Sequence, residues 1–224
     1  GGVSLATNFL VTLLAGNDSY SNQEFQKDRN LSVRTDLVEA DLLLEYRPWS
    51  RNKGFNRFYL YSGIGGIYYQ PKAEYQGDWY KLRELGTEGQ FLADGSGPYD
   101  ELSLVIPYGL GYKFRLAKST SLILDLGFRK TFTDYLDDVS DLYANPTLIG
   151  NEKGDVAREL SNRSLTAKAI NDERGNPDKT DSYHVLSIKF EYIFGGKSGD
   201  GCYYNRNPPK TRSTRINQRR MFLK

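Results

Sequence analysis

Residues 100–133 read DELSLVIPYGLGYKFRLAKSTSLILDLGFRKTFT. From Leu102 every second residue is apolar or aromatic: Leu102, Leu104, Ile106, Tyr108, Leu110, Tyr112, Phe114 and Leu116. Between them stand Ser103, Val105, Pro107, Gly109, Gly111, Lys113 and Arg115. The pattern resumes with Leu122, Leu124, Leu126 and Phe128 on one face and Asp125, Gly127 and Arg129 on the other. Successive side chains leave a strand on opposite faces, so period two predicts two strands. A minimal turn at 117–120 joins them into an antiparallel hairpin. The first strand alternates over about fifteen residues, against about 5–6 for a soluble strand and ~9–11 for a tilted membrane-crossing one. Its wall of Leu and aromatics therefore reads as lipid-facing, and its charged face as lumen-facing.

Length allows one barrel or one ordinary domain, at 224 residues. Hydrophobic content is 38% and mean hydropathy is negative. No run of ~18 apolar residues is present, so no transmembrane helix is expected. A barrel strand offers apolar groups only at alternate positions, so this does not count against a membrane barrel. Composition alone leaves a soluble all-β domain and a membrane barrel level. The single Cys202 rules out an internal disulfide framework, and the single His184 a multi-histidine metal site. The apolar start at 3–15 has no basic flank, so it reads as a strand rather than a signal peptide. The chain is expected to lack its true N-terminus.

Six strands are expected, at 3–15, 32–49, 58–69, the hairpin pair, and 183–194. The first is apolar on both faces, and its register is open. In the second, Val38, Ala40, Leu42, Leu44 and Tyr46 oppose Glu39, Asp41, Glu45 and Arg47. The third contains Gly63, Gly65 and Gly66, which mark a bend or close backbone approach. The last sets Leu186, Ile188, Phe190, Tyr192 and Phe194 against Ser187, Lys189 and Glu191. Connections after the first, third and fifth strands are long, and the others short. That alternation predicts an all-β antiparallel transmembrane barrel with long loops outside the cell and both visible chain ends in the periplasm. Within the third long loop, 132–142 and 155–165 are expected to be short helices, and 70–101 is expected to be loop.

The lipid wall is expected at Leu42, Leu44, Leu104, Ile106, Leu122, Leu124, Leu126, Leu186, Ile188 and Phe190. The lumen is expected to hold Glu39, Asp41, Glu45, Arg47, Lys113, Arg115, Asp125, Arg129, Lys189 and Glu191. Five acids face five bases there, which suggests a paired interior, because unpaired buried charge is costly. A small barrel is just wide enough for side chains to fill it, so a pore is not expected.

The segment 196–224 reads as a separate basic tail behind the barrel domain at 1–195. From Gly195 onward it holds eight Lys and Arg against Asp200 alone, so +7 lies here and −5 in the rest of a chain of net +2. It is either a solvated extension or an arm that orders on a partner through Tyr203, Tyr204, Arg206, Arg212, Arg215, Arg219 and Arg220. Tyr and Arg are enriched at interface hot spots. A periplasmic exit makes nucleic acid the least favoured target.

Other chemistry is weak. Asp134, Asp137, Asp138 and Asp141 have helical spacing and could gather a calcium ion. Pairing with Arg129 or Lys130 explains them more simply. Gly63-Ile-Gly65-Gly66 lacks phosphate-loop spacing. His184 and Ser187 lie on opposite strand faces, which argues against an esterase dyad. No enzyme activity and no cofactor are expected.

Several loop stretches carry a resemblance. NLSVRTD at 30–36, WYKLRELGTEGQ at 79–90, RKTFTDYLDDVS at 129–140 and RGNP at 174–177 occur in that order. Together they resemble the PorG family of the Bacteroidetes type IX secretion system. The resemblance spans roughly 16–194 and excludes the basic tail. It implies an eight-stranded outer-membrane barrel behind a signal peptide, so two strands would be missing here. It also implies a non-enzymatic part in the secretion and gliding machinery. The implied partners are outer-membrane lipid, the periplasmic ring of the PorK lipoprotein and PorN, and other secretion-system subunits. A free-standing barrel acting as adhesin or receptor through its loops is the alternative.

Overall fold

The computed structural model describes residues 2–48, 57–117 and 119–192. Its strands are β1 (Gly2–Asn17), β2 (Ser32–Arg47), β3 (Phe58–Tyr75), β4 (Asp78–Lys81), β5 (Leu102–Arg115), β6 (Thr120–Thr131) and β7 (Ser182–Tyr192). They form one sheet in the order β1-β2-β3-β5-β6-β7, with β4 as a short hairpin arm on β3. Every pairing is antiparallel. The β5–β6 turn is tight, with the amides of Leu116 and Ala117 both donating to the Thr120 carbonyl. Between β3 and β5 the register skips Gly63–Ile64 opposite Ile106–Pro107. Proline has no N–H to give a ladder.

The sheet is curled into half a barrel. Strands β2 and β7 are four steps apart, which in a flat sheet is about 19 Å, more than a Glu and a Tyr side chain can bridge. Yet the Tyr183 hydroxyl of β7 donates to the Glu39 carboxylate of β2. In β2, β3, β5, β6 and β7 odd-numbered residues face inward, and in β1 the even-numbered ones do. This settles the register of β1. Val3, Leu5, Phe9 and Val11 are exposed outward. Ala6 and Leu14 pack inward against the clusters around Leu43 and Leu37. The strand is apolar on both faces because the interior beside it is partly apolar.

Two expectations about the loops are corrected. Strand β3 runs on to Tyr75 and then pairs with β4, so 70–81 is not loop. Beyond Tyr69 its outer face turns polar, with Lys72 beside Asp36 at 2.5 Å, while Ala73 stays fully buried inward. The helix expected at 132–142 does not form. That stretch is irregular, with Asp138 at φ +64°. The helices of this loop are α3 (Pro146–Lys153), capped by the Asn145 side chain, and α4 (Asp155–Ser161). Two shorter helices sit in the other loops, α1 (Glu24–Arg29) and α2 (Leu82–Leu85), ending on left-handed Asn30 and Gly86.

Candidate functional site

The outer face is apolar where the sequence places the lipid wall. Leu42, Leu44, Leu104, Ile106, Leu124, Leu126, Leu186, Ile188 and Phe190 are all exposed, and Leu122 is half-buried on the same face. Soluble monomers rarely expose apolar patches beyond a few hundred Å². The band has edges. Toward the loops it stops at Arg34 and Asp36 on β2, Lys72 and Glu74 on β3, and Lys130 on β6. At the opposite end Tyr46, Phe58, Tyr112, Phe114 and Tyr192 gather on the outward face. Nearer the loops Tyr108 stacks on Phe128 at 5.5 Å, and His184 meets Phe128 edge-on at 5.0 Å.

The inner face holds most of the expected charges in contact. Arg129 Nε donates to Glu39 Oε1 at 2.8 Å, and its Nη2 lies 4.0 Å from Asp41 Oδ2. Asp125 accepts from the Tyr59 and Tyr61 hydroxyls at 2.7 and 2.9 Å, with Lys189 Nζ 3.5 Å away. Toward the end remote from the long loops, Arg47 and Ser4 both donate to Glu45, and Lys113 pairs with Glu191. Arg115 lies at the edge of this face. It is exposed at the strand end, and its Nε donates to the Ala117 carbonyl at 3.4 Å. The network is not a closed set of charges, because Ser4, Asn8, Tyr59, Tyr61 and Tyr183 add neutral donors, Asn8 Nδ2 donating to Asp41 Oδ2 at 3.0 Å. Tyr59, Tyr61, Tyr183 and Asn8 were not expected in it. The inward parity of the tyrosines was readable and that of Asn8, on a strand of open register, was not; which strand each would meet depended on the curl. The glycines give them room. A Cβ on Gly111 would overlap the Tyr59 ring, and one on Gly127 would overlap Arg129 and the Tyr61 hydroxyl.

Above this layer the interior is closed. Leu37, Ile67, Tyr69, Val105 and Tyr183 cluster with Leu136, which the third long loop inserts between the strands. The three long loops then share a second core of Leu31, Val33, Ala73, Leu82, Val139 and Leu160. They form one cap.

Buried ionic contacts tie the cap together. Arg174 Nη1 donates to Glu88 Oε1 and to the Asp138 carbonyl, both at 2.8 Å. Glu88 Oε1 also accepts from the amides of Ser140 and Asp141. Asp138 accepts from Tyr99 at 2.7 Å and from Thr87. Burial pushes the Asp138 carboxyl up to about 7, against the pull of Arg174. Arg29 clamps Asp18 through Nε and Nη2 at 2.8 and 2.9 Å, and its Nη1 reaches the Arg174 carbonyl. Glu88, Asp138, Ser140 and Arg174 come from three of the loop stretches quoted above, which therefore meet at one point.

The four aspartates do not share a face. Asp138 is buried against Arg174, Asp137 lies 3.9 Å from Arg29, and Asp141 is exposed. Asp137 and Asp138 thus find their cationic partners in Arg29 and Arg174 rather than in Arg129 or Lys130, because the loop folds back on 174 and 29 rather than along β6, while Asp134 keeps the pull of Lys130. Among the described residues no group of His, Cys, Asp or Glu is placed to hold a metal ion. Tyr203, Tyr204, Arg206, Arg212, Arg215, Arg219 and Arg220 lie outside the described residues.

No protein-family model matches the chain, and no curated protein matches it. Among solved structures it is similar to CarO2 of Acinetobacter baumannii, at 12% identity and a TM-score of 0.33, covering 85% of this chain and 86% of that one. A likeness that slight carries no statement about this chain.

Proposed function

We propose that this protein is a bacterial outer-membrane β-barrel that works as a structural subunit, neither channel nor enzyme. One observation carries the reading: an apolar outer band, edged by aromatic and charged residues, backs an inner face of paired charges that a cap covers at the loop end. Only closed barrels and helices satisfy their backbone groups in lipid. Among the described residues no helix is long and apolar enough to cross. The curvature supports a ring of about eight strands, because β2 and β7, four steps apart, face each other across the interior.

The finer reading is a PorG-like part of the type IX secretion and gliding machinery, resting on the periplasmic ring of PorK and PorN. Its support is the sequence resemblance, whose motif residues meet in the cap. In this reading the loops lie outside the cell and the basic tail reaches the ring. Fractionation tests the first level. The protein is expected in the outer-membrane fraction and to need detergent for release; recovery as soluble periplasmic protein ends the membrane reading. Pull-down after extraction tests the second. Ring proteins are expected to co-purify, and truncation after Gly196 to abolish this while barrel assembly stays normal. A barrel recovered alone favours a surface receptor acting through its loops, a reading that the ordered cap also supports.

A further inference from the structure

We infer that the open pocket between the loop ends of β1 and β2 and the 3-10 turn Asp18–Tyr20 is a subsite for one pyranose ring, free or carried on a surface glycan. It encloses about 310 Å³. Small-ligand pockets begin near about 300 Å³, so it suits a single ring rather than an oligosaccharide.

The lining has the amphipathic character of a sugar. Leu31 and Val33, both buried in the cap core, make an apolar floor. Tyr20 stands on the rim at 86% exposure. Its turn is held from several sides. Asn17 Oδ1 accepts from the Ser19 amide, the Ser21 amide donates to the Asp18 carbonyl, and Asp18 is clamped by Arg29 and the Leu31 amide. Tyr20 is thus a large ring held on a pinned turn and left open to solvent. A pyranose offers such a ring its C–H face and presents hydroxyls around its edge.

The polar groups match those hydroxyls. Asn17, Gln26 and Tyr20 line the pocket, and Asn17 Nδ2, Gln26 Nε2 and the Tyr20 hydroxyl make no hydrogen bond among the described residues. Asp137 supplies an acceptor on the wall, one oxygen already taking the Val139 amide at 3.2 Å. Charge argues for a neutral ligand. Asp18 and Asp137 would repel an anion, and Arg29, 2.8 and 3.9 Å from them, already answers both. A cation would find no unshared carboxylate.

The test uses the full chain in a sugar-free detergent, because an alkyl maltoside would compete. Saturation-transfer NMR is recorded with the methyl glycosides of glucose, galactose, mannose and N-acetylglucosamine. At least one is expected to give saturable transfer, strongest at its ring C–H protons. Tyr20→Ala should weaken binding by about tenfold, and Gln26→Ala should weaken it too, while Tyr20→Phe stays within about threefold. Both Tyr20 variants should melt and fractionate like the parent, so loss of binding is separable from failure of the barrel reading. Lipopolysaccharide and lipid-free polysaccharide from the same cells then distinguish a glycolipid from a free glycan source. Absence of saturable transfer from all four glycosides overturns the inference, as does equal binding by Tyr20→Ala.

Discussion

Arg129 is the residue on which the interior turns. It serves Glu39 directly, lies beside Asp41, and its Nη1 is 3.5 Å from the Tyr61 hydroxyl that reaches Asp125. Removing one member of a buried pair strands the other, at a cost of about 3–5 kcal/mol. Arg129→Leu should therefore lose about that much stability, read as a lower denaturant midpoint for the shift between folded and unfolded bands on unheated gels. Adding Glu39→Leu should recover part of the loss, since replacing both partners by apolar groups is often tolerated. A double variant no better than the single one would show that the pair is not the source of the cost.

At the scale of the strand, the two faces should respond oppositely to the same residue type. Ile188 is 71% exposed on the outer face, and its neighbour Lys189 points inward to Asp125. Ile188→Arg should cost about 2–4 kcal/mol if it lies near the midplane of a bilayer, whereas Lys189→Arg keeps its charge facing Asp125 and should cost little. Equal loss of membrane assembly in both variants would contradict the assigned faces. This alternation was the legible part, because period two is a local property. Curl is not local, so the tyrosines of β3 could be placed on the inner face without revealing that they would meet β6. The cap was legible as loop with a short helix at 155–165, which α4 supplies. The aspartates at 134, 137, 138 and 141 have helical spacing, yet that spacing does not exclude a loop. Buried Arg174, 36 positions beyond Asp138, is what holds the irregular form.

For the molecule as a whole, the cap should make stability depend on pH. Burial pushes the carboxyls of Asp134 and Asp181 up to about 6, with Asp137 adding to the shift of Asp134 and Asp134 to that of Asp181. Their ordinary value is 3.8. Folding thus binds protons between the two values, and the stabilisation present below 3.8 is lost as pH rises through about 6. The melting temperature should fall by about 2–4 °C for each kcal/mol lost between pH 5 and pH 8. Asp181→Asn, which retains an acceptor for the Leu136 amide, should flatten the profile. A parent protein that melts equally at both pH values would contradict the burial of these groups.

The carboxylate at Glu39 is answered by residues 90 and 144 positions further along the chain. Contacts of that span make folding slow, and a half-made sheet offers unpaired edges to other copies of itself. Arg129 and Tyr183 reach Glu39 only once β6 and β7 are in place. The side chain therefore keeps its long-range partners only after those two strands have docked. Until that happens the chain carries both open strand edges and an acid still waiting for its tyrosine, so one contact reports whether two distant strands have met.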